Sequence, residues 1–338
     1  MINTYGALTE CLNRNGTTSR AFASYTHTWE DGSVRIYAEP PVIGGYHSNK
    51  STFVKSLPHI TGAMPSKNTL KVGYELEFCR GKAPKNSDEW FARDMLKRVR
   101  ETFKFLGGQP YCAFERDGSV DFELVSGYGP MDMHRAGVIA LLQGNPYHGQ
   151  LQSHDGGKCG LHVHLDKPQS LMHATRLVAF WNNPFNERLI RAVARRYGKN
   201  TGYAKFKGAA GDMVQAAKSY KQNKSYYGKQ DALRRAINGL STERYDVCNF
   251  TNANTVEIRA FRGSMLVDTV LACIEFAYMS WYFARDTTSE QLTSDNFLAY
   301  ISKTERRHES RYVRKFLWNR GFKVWMPKKQ PRVHTVEA

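Results

Sequence analysis

Gly73-Tyr74-Glu75-Leu76-Glu77-Phe78 is the stretch from which the fold of this chain is read. With Val72 before it, apolar Tyr74, Leu76 and Phe78 alternate against Gly73, Glu75 and Glu77. Alternation of period two marks a strand with one buried face, and residues two apart share a face. Glu75 and Glu77 therefore stand side by side on a segment otherwise built for a core. Two neighbouring carboxylates repel unless a cation or a proton lies between them. The hexapeptide alone fits either an edge strand with a solvated acidic face or a strand that presents two ligands.

Three later segments repeat the pattern. Asp121 and Glu123 lie in Val120–Val125, with Glu115 and Asp117 just across the turn Arg116-Asp117-Gly118-Ser119. His162 and His164 alternate with Leu161, Val163 and Leu165, and Glu257 and Arg259 alternate with Val256 and Ile258. Four such strands predict a sheet with one face on an apolar core and the other lining a charged cleft. Carboxylates with imidazoles and no thiolate suit Mg²⁺ or Mn²⁺ better than a structural zinc site. An arginine two residues from a metal-type glutamate suits a triphosphate, whose charge metal and guanidinium can share. Taken singly, each motif has a plainer alternative. His162 and His164 also fit core or surface histidines, and Glu257 with Arg259 also fits a cross-strand salt bridge.

Three hairpins are predicted: Thr26–Trp29 with Val34–Ala38, Tyr111–Glu115 with Val120–Val125, and Tyr245–Phe250 with Thr255–Phe261. Helical spacing covers Ser87–Leu106, with Ser87 as N-cap and Trp90, Phe91, Met95, Leu96, Val99 and Phe103 as its buried stripe. Further helices are expected at Met131–Gln143, Pro168–Trp181, Asn186–Tyr197 and Met265–Ala284, the last capped by Ser264. Hairpins interleaved with helices predict an α+β fold with a largely antiparallel sheet rather than a doubly wound one. The chain divides into an N-terminal appendage or capping segment (1–70), a catalytic domain (71–285) holding a basic insertion (198–240), and a basic C-terminal segment (286–338).

The chain has 338 residues, is 41% hydrophobic and 12% aromatic, and can bury a sizeable core. Its net charge is +17, and the excess is confined to two places: residues 188–244 carry +11 and residues 304–338 carry +7. Such surfaces suit a polyanionic partner, nucleic acid included, or an anionic substrate; a solubilising surface is the alternative. Six cysteines without Cys-x-x-Cys spacing read as reduced, packed thiols rather than a disulfide frame. No apolar run reaches the ~20 residues of a membrane span, and Met1–Asn15 does not read as a signal peptide. A cytoplasmic protein without a membrane partner is the expectation. No P-loop, no Gly-x-Gly-x-x-Gly opening a helix and no nucleophile elbow appears.

The order Gly73-x-Glu75-x-Glu77-Phe78, Asp117-x-Ser119 with Glu123-Leu124-Val125-Ser126, Cys159-Gly160-Leu161-His162-Val163-His164, Arg244-Tyr245 with Asn249, Val256-Glu257-x-Arg259 and Gly263-Ser264 resembles the amidoligase family. That family belongs to the carboxylate–amine ligase superfamily of glutamine synthetase and glutamate–cysteine ligase. The resemblance covers roughly residues 70–285. It departs in the insertion 198–240, in Ser264 where a threonine is usual, and in the segments at both ends.

The resemblance implies a glutamine-synthetase-like catalytic domain: a curved half-barrel sheet, helices on its outer face, ATP entering at one mouth and the acceptor at the other. It implies an ADP-forming, ATP-dependent ligase that makes an amide through an acyl phosphate. By similarity Glu75, His162 and Glu257 hold a Mg²⁺ that bridges the ATP phosphates. Glu77 and Glu123, helped by Asp117 or Glu115, hold a second ion. His164 and Arg259 contact phosphate oxygens, and Arg244 contacts the phosphate or the substrate carboxylate. Relatives look like parts of phage or bacterial peptide-modifying systems, so a peptide, protein or other macromolecular acceptor is implied. The superfamily includes ring oligomers, though nothing in this sequence demands one. Asp121 is a candidate base for the amine. Two alternatives remain: a nucleic-acid- or virion-associated binding protein on a degenerate ligase fold, and a metal-dependent hydrolase, which would turn over without ATP.

Overall fold

A computed structural model of the chain describes residues 42–45, 56–84, 87–106, 110–153, 158–168, 170–195, 225 and 246–326, with the backbone of strands at 25–28, 34–37, 200–201 and 204–205. The strands are β1 (Tyr25–Thr28), β2 (Val34–Tyr37), β3 (Ile43–Gly44), β4 (Val72–Arg80), β5 (Cys112–Glu115), β6 (Phe122–Ser126), β7 (Leu151–Gln152), β8 (Gly160–Asp166), β9 (Asn200–Thr201), β10 (Ala204–Lys205), β11 (Cys248–Asn249) and β12 (Thr255–Arg262). The helices are α1 (Asp88–Thr102), α2 (Met131–Leu142), α3 (Leu171–Asn182), α4 (Glu187–Ala194), α5 (Val267–Asp286), α6 (Ser294–Ser302) and α7 (Arg311–Trp318).

The hexapeptide lies in β4, at the middle of an open sheet ordered β11-β12-β8-β4-β6-β5-β3, with β7 pairing the end of β4. Its ladders are antiparallel except β3 with β5. The fold is α+β, as the alternation of hairpins and helices implies. β1 pairs β2 and β9 pairs β10 in separate two-stranded ladders. Part of the N-terminal segment joins the main domain: β3 adds to one sheet edge, and Leu57 is fully buried.

One face of the sheet is apolar. Val72, Tyr74, Leu76 and Phe78 of β4, Leu161, Val163 and Leu165 of β8, and Val256, Ile258 and Phe261 of β12 are all buried. Each such side chain contributes about 1.5–3 kcal/mol when fully buried. Helix α5 packs against β8, and α2, α3, α4, α6 and α7 pack around α5. Every residue of α5 from Thr269 to Ala284 is buried, which is why it reads as apolar all round in the sequence. Its one interior charge, Glu275, accepts from Arg135 of α2 at 2.9 Å and from the backbone N–H groups of Tyr312 and Val313. Burial still pushes that carboxyl up to about 7.

A second buried polar link ties α2 to the sheet. The Tyr74 and Tyr111 hydroxyls are 3.1 Å apart, Tyr111 lies 3.3 Å from His134 Nδ1, and His134 Nε2 donates to the Val72 carbonyl. Only glycine fits at 137 in α2, because a Cβ there would fall 2.0 Å from the Tyr111 ring.

Several local expectations are corrected. Trp90 is 58% exposed; it sits one position off the Phe91, Met95, Val99 stripe, with its edge against Phe91 and Tyr147. The Ser87 hydroxyl donates to the Pro84 carbonyl instead of capping α1. Ser264 Oγ accepts from Leu266 N–H, one residue ahead of α5, so it orders the approach to the helix and not its first turn. Arg244 and most of 198–240 fall outside the described residues. Among the described residues no helix is long and apolar enough to cross a membrane.

Candidate active site

The other face of the sheet gathers the charged residues, and register explains how. Directly opposite residues on neighbouring strands share a face. Glu75 pairs with His162, and Glu77 pairs with Glu123, which in turn faces Glu115. His164 lies between Gly73 and Glu257, and Glu257 pairs with Asn249. A β-bulge in β12 between Ile258 and Phe261 leaves both of those side chains in the core.

Most of this charge is buried. Glu77, Glu115, Glu123, His162, Glu257 and Arg259 are buried, while Glu75 and His164 are partly so. His162 Nδ1 is hydrogen-bonded to Glu75 Oε2 at 3.1 Å and lies 3.5 Å from Glu257 Oε1; its Nε2 is 3.8 Å from Glu77 Oε1. His164 Nε2 is 3.1 Å from Glu75 Oε1, yet it is buried and makes no aligned hydrogen bond. Glu257 is held from two sides, by the Asn249 amide at 2.9 Å and by an Arg259 Nη1 contact. Arg259 Nε is buried without a hydrogen-bond partner. Glu77 accepts from Gly160 N–H, and its carbonyl accepts from the buried Ser153 hydroxyl. Only glycine fits at 263 beside that hydroxyl, since a Cβ would lie 2.1 Å from the Ser153 carbonyl.

The electrostatics follow from this crowding. Burial opposes ionisation of Glu75, but His164 and then His162 hold its carboxyl well below the usual range. Burial also opposes the charged form of His164, and Glu75 overcomes it, raising the imidazole to about 9. Burial, with Glu75, Asp117, Glu77 and Glu115 nearby, pushes Glu123 up to about 9.

Among the described residues, one group brings three donor atoms within 4.8 Å of one another: Glu75, His164 and Glu257. Two donors about 2.1 Å from one cation at a right angle stand ~3 Å apart, which matches the Glu75–His164 separation. His164 Nε2, 3.1 Å from Glu75 Oε1, and the oxygen-rich surroundings fit a hard or borderline divalent ion. That group contains His164, and His162 Nδ1 lies beside the same two carboxylates, 3.1 Å from Glu75 and 3.5 Å from Glu257. Glu77, Glu115 and Glu123 form a row across three strands but no group of that closeness. Asp117 stays in the β5–β6 turn, where one oxygen accepts from the Ser119 N–H and hydroxyl. Asp121 is engaged by the Arg80 backbone N–H and guanidinium, so it is not open to serve as a base. Asn249 is a further residue of the site, set opposite Glu257 on β11. In the sequence only its place after Arg244-Tyr245 marks it; the hairpin is what brings its amide to Glu257.

No family profile matches the chain, and no curated protein matches it. Among solved structures, a chain of the crystal structure of the complex between Prokaryotic Ubiquitin-like Protein Pup and its Ligase PafA is similar at 10% identity with a TM-score of 0.32. The likeness covers 72% of this chain and 51% of that one, so it spans about half the length of the other protein. At this identity and score it establishes neither a common family nor a common activity.

Proposed function

We propose that residues 71–285 are the catalytic domain of an ADP-forming, ATP-dependent carboxylate–amine ligase. The carrying observation is the meeting of the Glu75–His164–Glu257 donor group with Arg259 on one buried, charged sheet face. The order of motifs that resembles the amidoligase family supports the same reading.

In this reading Glu75, His164 and Glu257 hold one Mg²⁺ or Mn²⁺, with His162 hydrogen-bonded behind Glu75. Glu77 and Glu123, with Asp117 or Glu115, serve a second. A divalent ion, when bound, neutralises phosphate charge and polarises the phosphoryl oxygens. Asn249 fixes the Glu257 carboxylate through Oε2. Arg259 is tied to Glu257 by Nη1 and has Nε left to donate to a phosphate oxygen. Arginine planarity suits this double engagement. A substrate carboxylate is a poor electrophile until phosphorylated, and its attack brings two anions together; a preorganised cationic face lowers that cost. The activated acyl group is then open to displacement by an amine. A peptide, protein or other macromolecule is the proposed acceptor.

The test is ADP and phosphate release from Mg-ATP with a pool of amino acids, peptides and amines, for wild type and Glu75→Gln. Release that requires the pool and is lost in the variant is expected. Nucleotide-independent turnover of the pool would replace the ligase with a hydrolase. Absence of both ATP binding and turnover would overturn the reading.

A further inference from the structure

Near the end of β4, the Cys79 and Cys159 sulfurs are 2.9 Å apart. That is inside ordinary non-bonded contact, which is about 3.5–4.0 Å even between carbons. The two residues are 80 positions apart in sequence, and strand pairing brings them together. Cys79 lies near the end of β4 and Cys159 immediately precedes β8; these strands pair through Leu76 and Leu161.

Both backbones are held. Cys79 is paired with Gln152 of β7, and the Cys159 carbonyl accepts from Gly263 N–H at 3.2 Å. Both thiols are free. Cys79 is partly exposed while Cys159 is buried, so a small oxidant in solvent reaches Cys79 first. Cys112, Cys248 and Cys273 are buried, and Cys273 donates to the Val193 carbonyl.

We propose that Cys79 and Cys159 form an oxidation site: a dithiol that a small-molecule disulfide converts into an intramolecular disulfide across β4 and β8. Cys79 sulfur attacks one sulfur of the small disulfide, breaking its S–S bond and releasing one thiol. Cys159 sulfur then attacks Cys79 sulfur, forming the protein S–S bond and expelling the second thiol. Two protein thiols are oxidised, one small disulfide is reduced, and the two protein protons leave on the two released thiols. The final S–S bond is about 2.05 Å, so the sulfurs close by less than ~1 Å.

The bridge joins the strand that carries Glu75 and Glu77 to the strand that carries His162 and His164. It sits next to Gly160, whose N–H donates to Glu77. None of this depends on the ligase reading; a chain without ligase activity would oxidise in the same way.

The experiment treats the full-length reduced protein with oxidised glutathione, followed by intact mass measurement and non-reducing peptide mapping. The expected result is a mass lower by two hydrogens, a single peptide pair joining Cys79 to Cys159, and reversal by dithiothreitol. Closing an 80-residue separation also raises the unfolding midpoint. Cys79→Ser and Cys159→Ser should each lose both effects. An unchanged mass, a bridge through any other cysteine, or a glutathione adduct that persists on Cys79 would overturn the proposal. The wild-type map decides this whether or not the variants fold.

Discussion

Asn249 and Glu257 face each other across the β11–β12 hairpin, and the Asn249 amide donates to Glu257 Oε2 at 2.9 Å. The other Asn249 atom, Oδ1, accepts from the Thr251 N–H and hydroxyl, so the amide cannot rotate freely. Residues that orient a ligand in this way affect metal affinity by about 10–100-fold when replaced. Asn249→Ala should therefore weaken Mn²⁺ binding by at least ~10-fold, read by calorimetry, while the circular dichroism spectrum stays native. Unchanged affinity would leave Asn249 a turn residue only.

The Glu75–His164 pair should matter more than the Glu75–His162 pair for ion binding. His164 Nε2 belongs to the donor group with Glu75 and Glu257, whereas His162 Nδ1 is hydrogen-bonded to Glu75 Oε2 beside it. Replacing His164 with Ala should cost more Mn²⁺ affinity than replacing His162 with Asn. The reverse order, measured by titration of both variants, would return the ligand role to His162.

Acid sensitivity should trace partly to two core histidines. Burial lowers His134 to about 4, against a hydrogen bond to the Val72 carbonyl; burial likewise lowers His173 to about 4, against its bond to the Trp281 carbonyl. A depressed folded-state value means that the unfolded chain binds more protons between about pH 6.5 and 4. The stabilisation is thus complete above that window and is lost as pH falls through it, by up to ~1.4 kcal/mol per pH unit for each histidine. Glu275, raised to about 7, acts in the opposite sense: its contribution is complete at acid pH and is lost as pH rises from the ordinary carboxylate range to about 7. Urea titrations from pH 7 to 4 should show a shallower fall for His134→Gln than for wild type. Parallel slopes would contradict the assignment.

Gly137→Ala should destabilise the protein by about 1–3 kcal/mol through overpacking, because the new methyl would enter the Tyr111 ring. Tyr111→Leu removes the collision, so the double variant should recover part of the loss beyond additivity. Strict additivity in chemical denaturation would show that α2 shifts instead.

The sequence itself determined the layered architecture. Period-two alternation in 72–78, 161–165 and 256–258 separates an apolar from a charged face whatever the strand order, because adjacent side chains on a strand must point oppositely. Turn residues between paired strands fixed the β5–β6 and β11–β12 hairpins, whose partners are close in sequence. Tertiary structure alone decided which charged groups converge. His162 and His164 carry the same residue type on the same face, and only pairing with β4 and β12 sets one against Glu75 Oε2 and the other against Glu75 Oε1 in the donor group with Glu257. Asp121 looks like Glu123 in the sequence, but the end of β4 brings Arg80 against it. Trp90 has the composition of a core residue and the angular position of a surface one. Cys79 meets Cys159 because the β4–β8 pairing joins segments 80 residues apart. Local pattern reports the direction of a side chain relative to its own strand or helix, whereas a site depends on distances between strands, which long-range register sets.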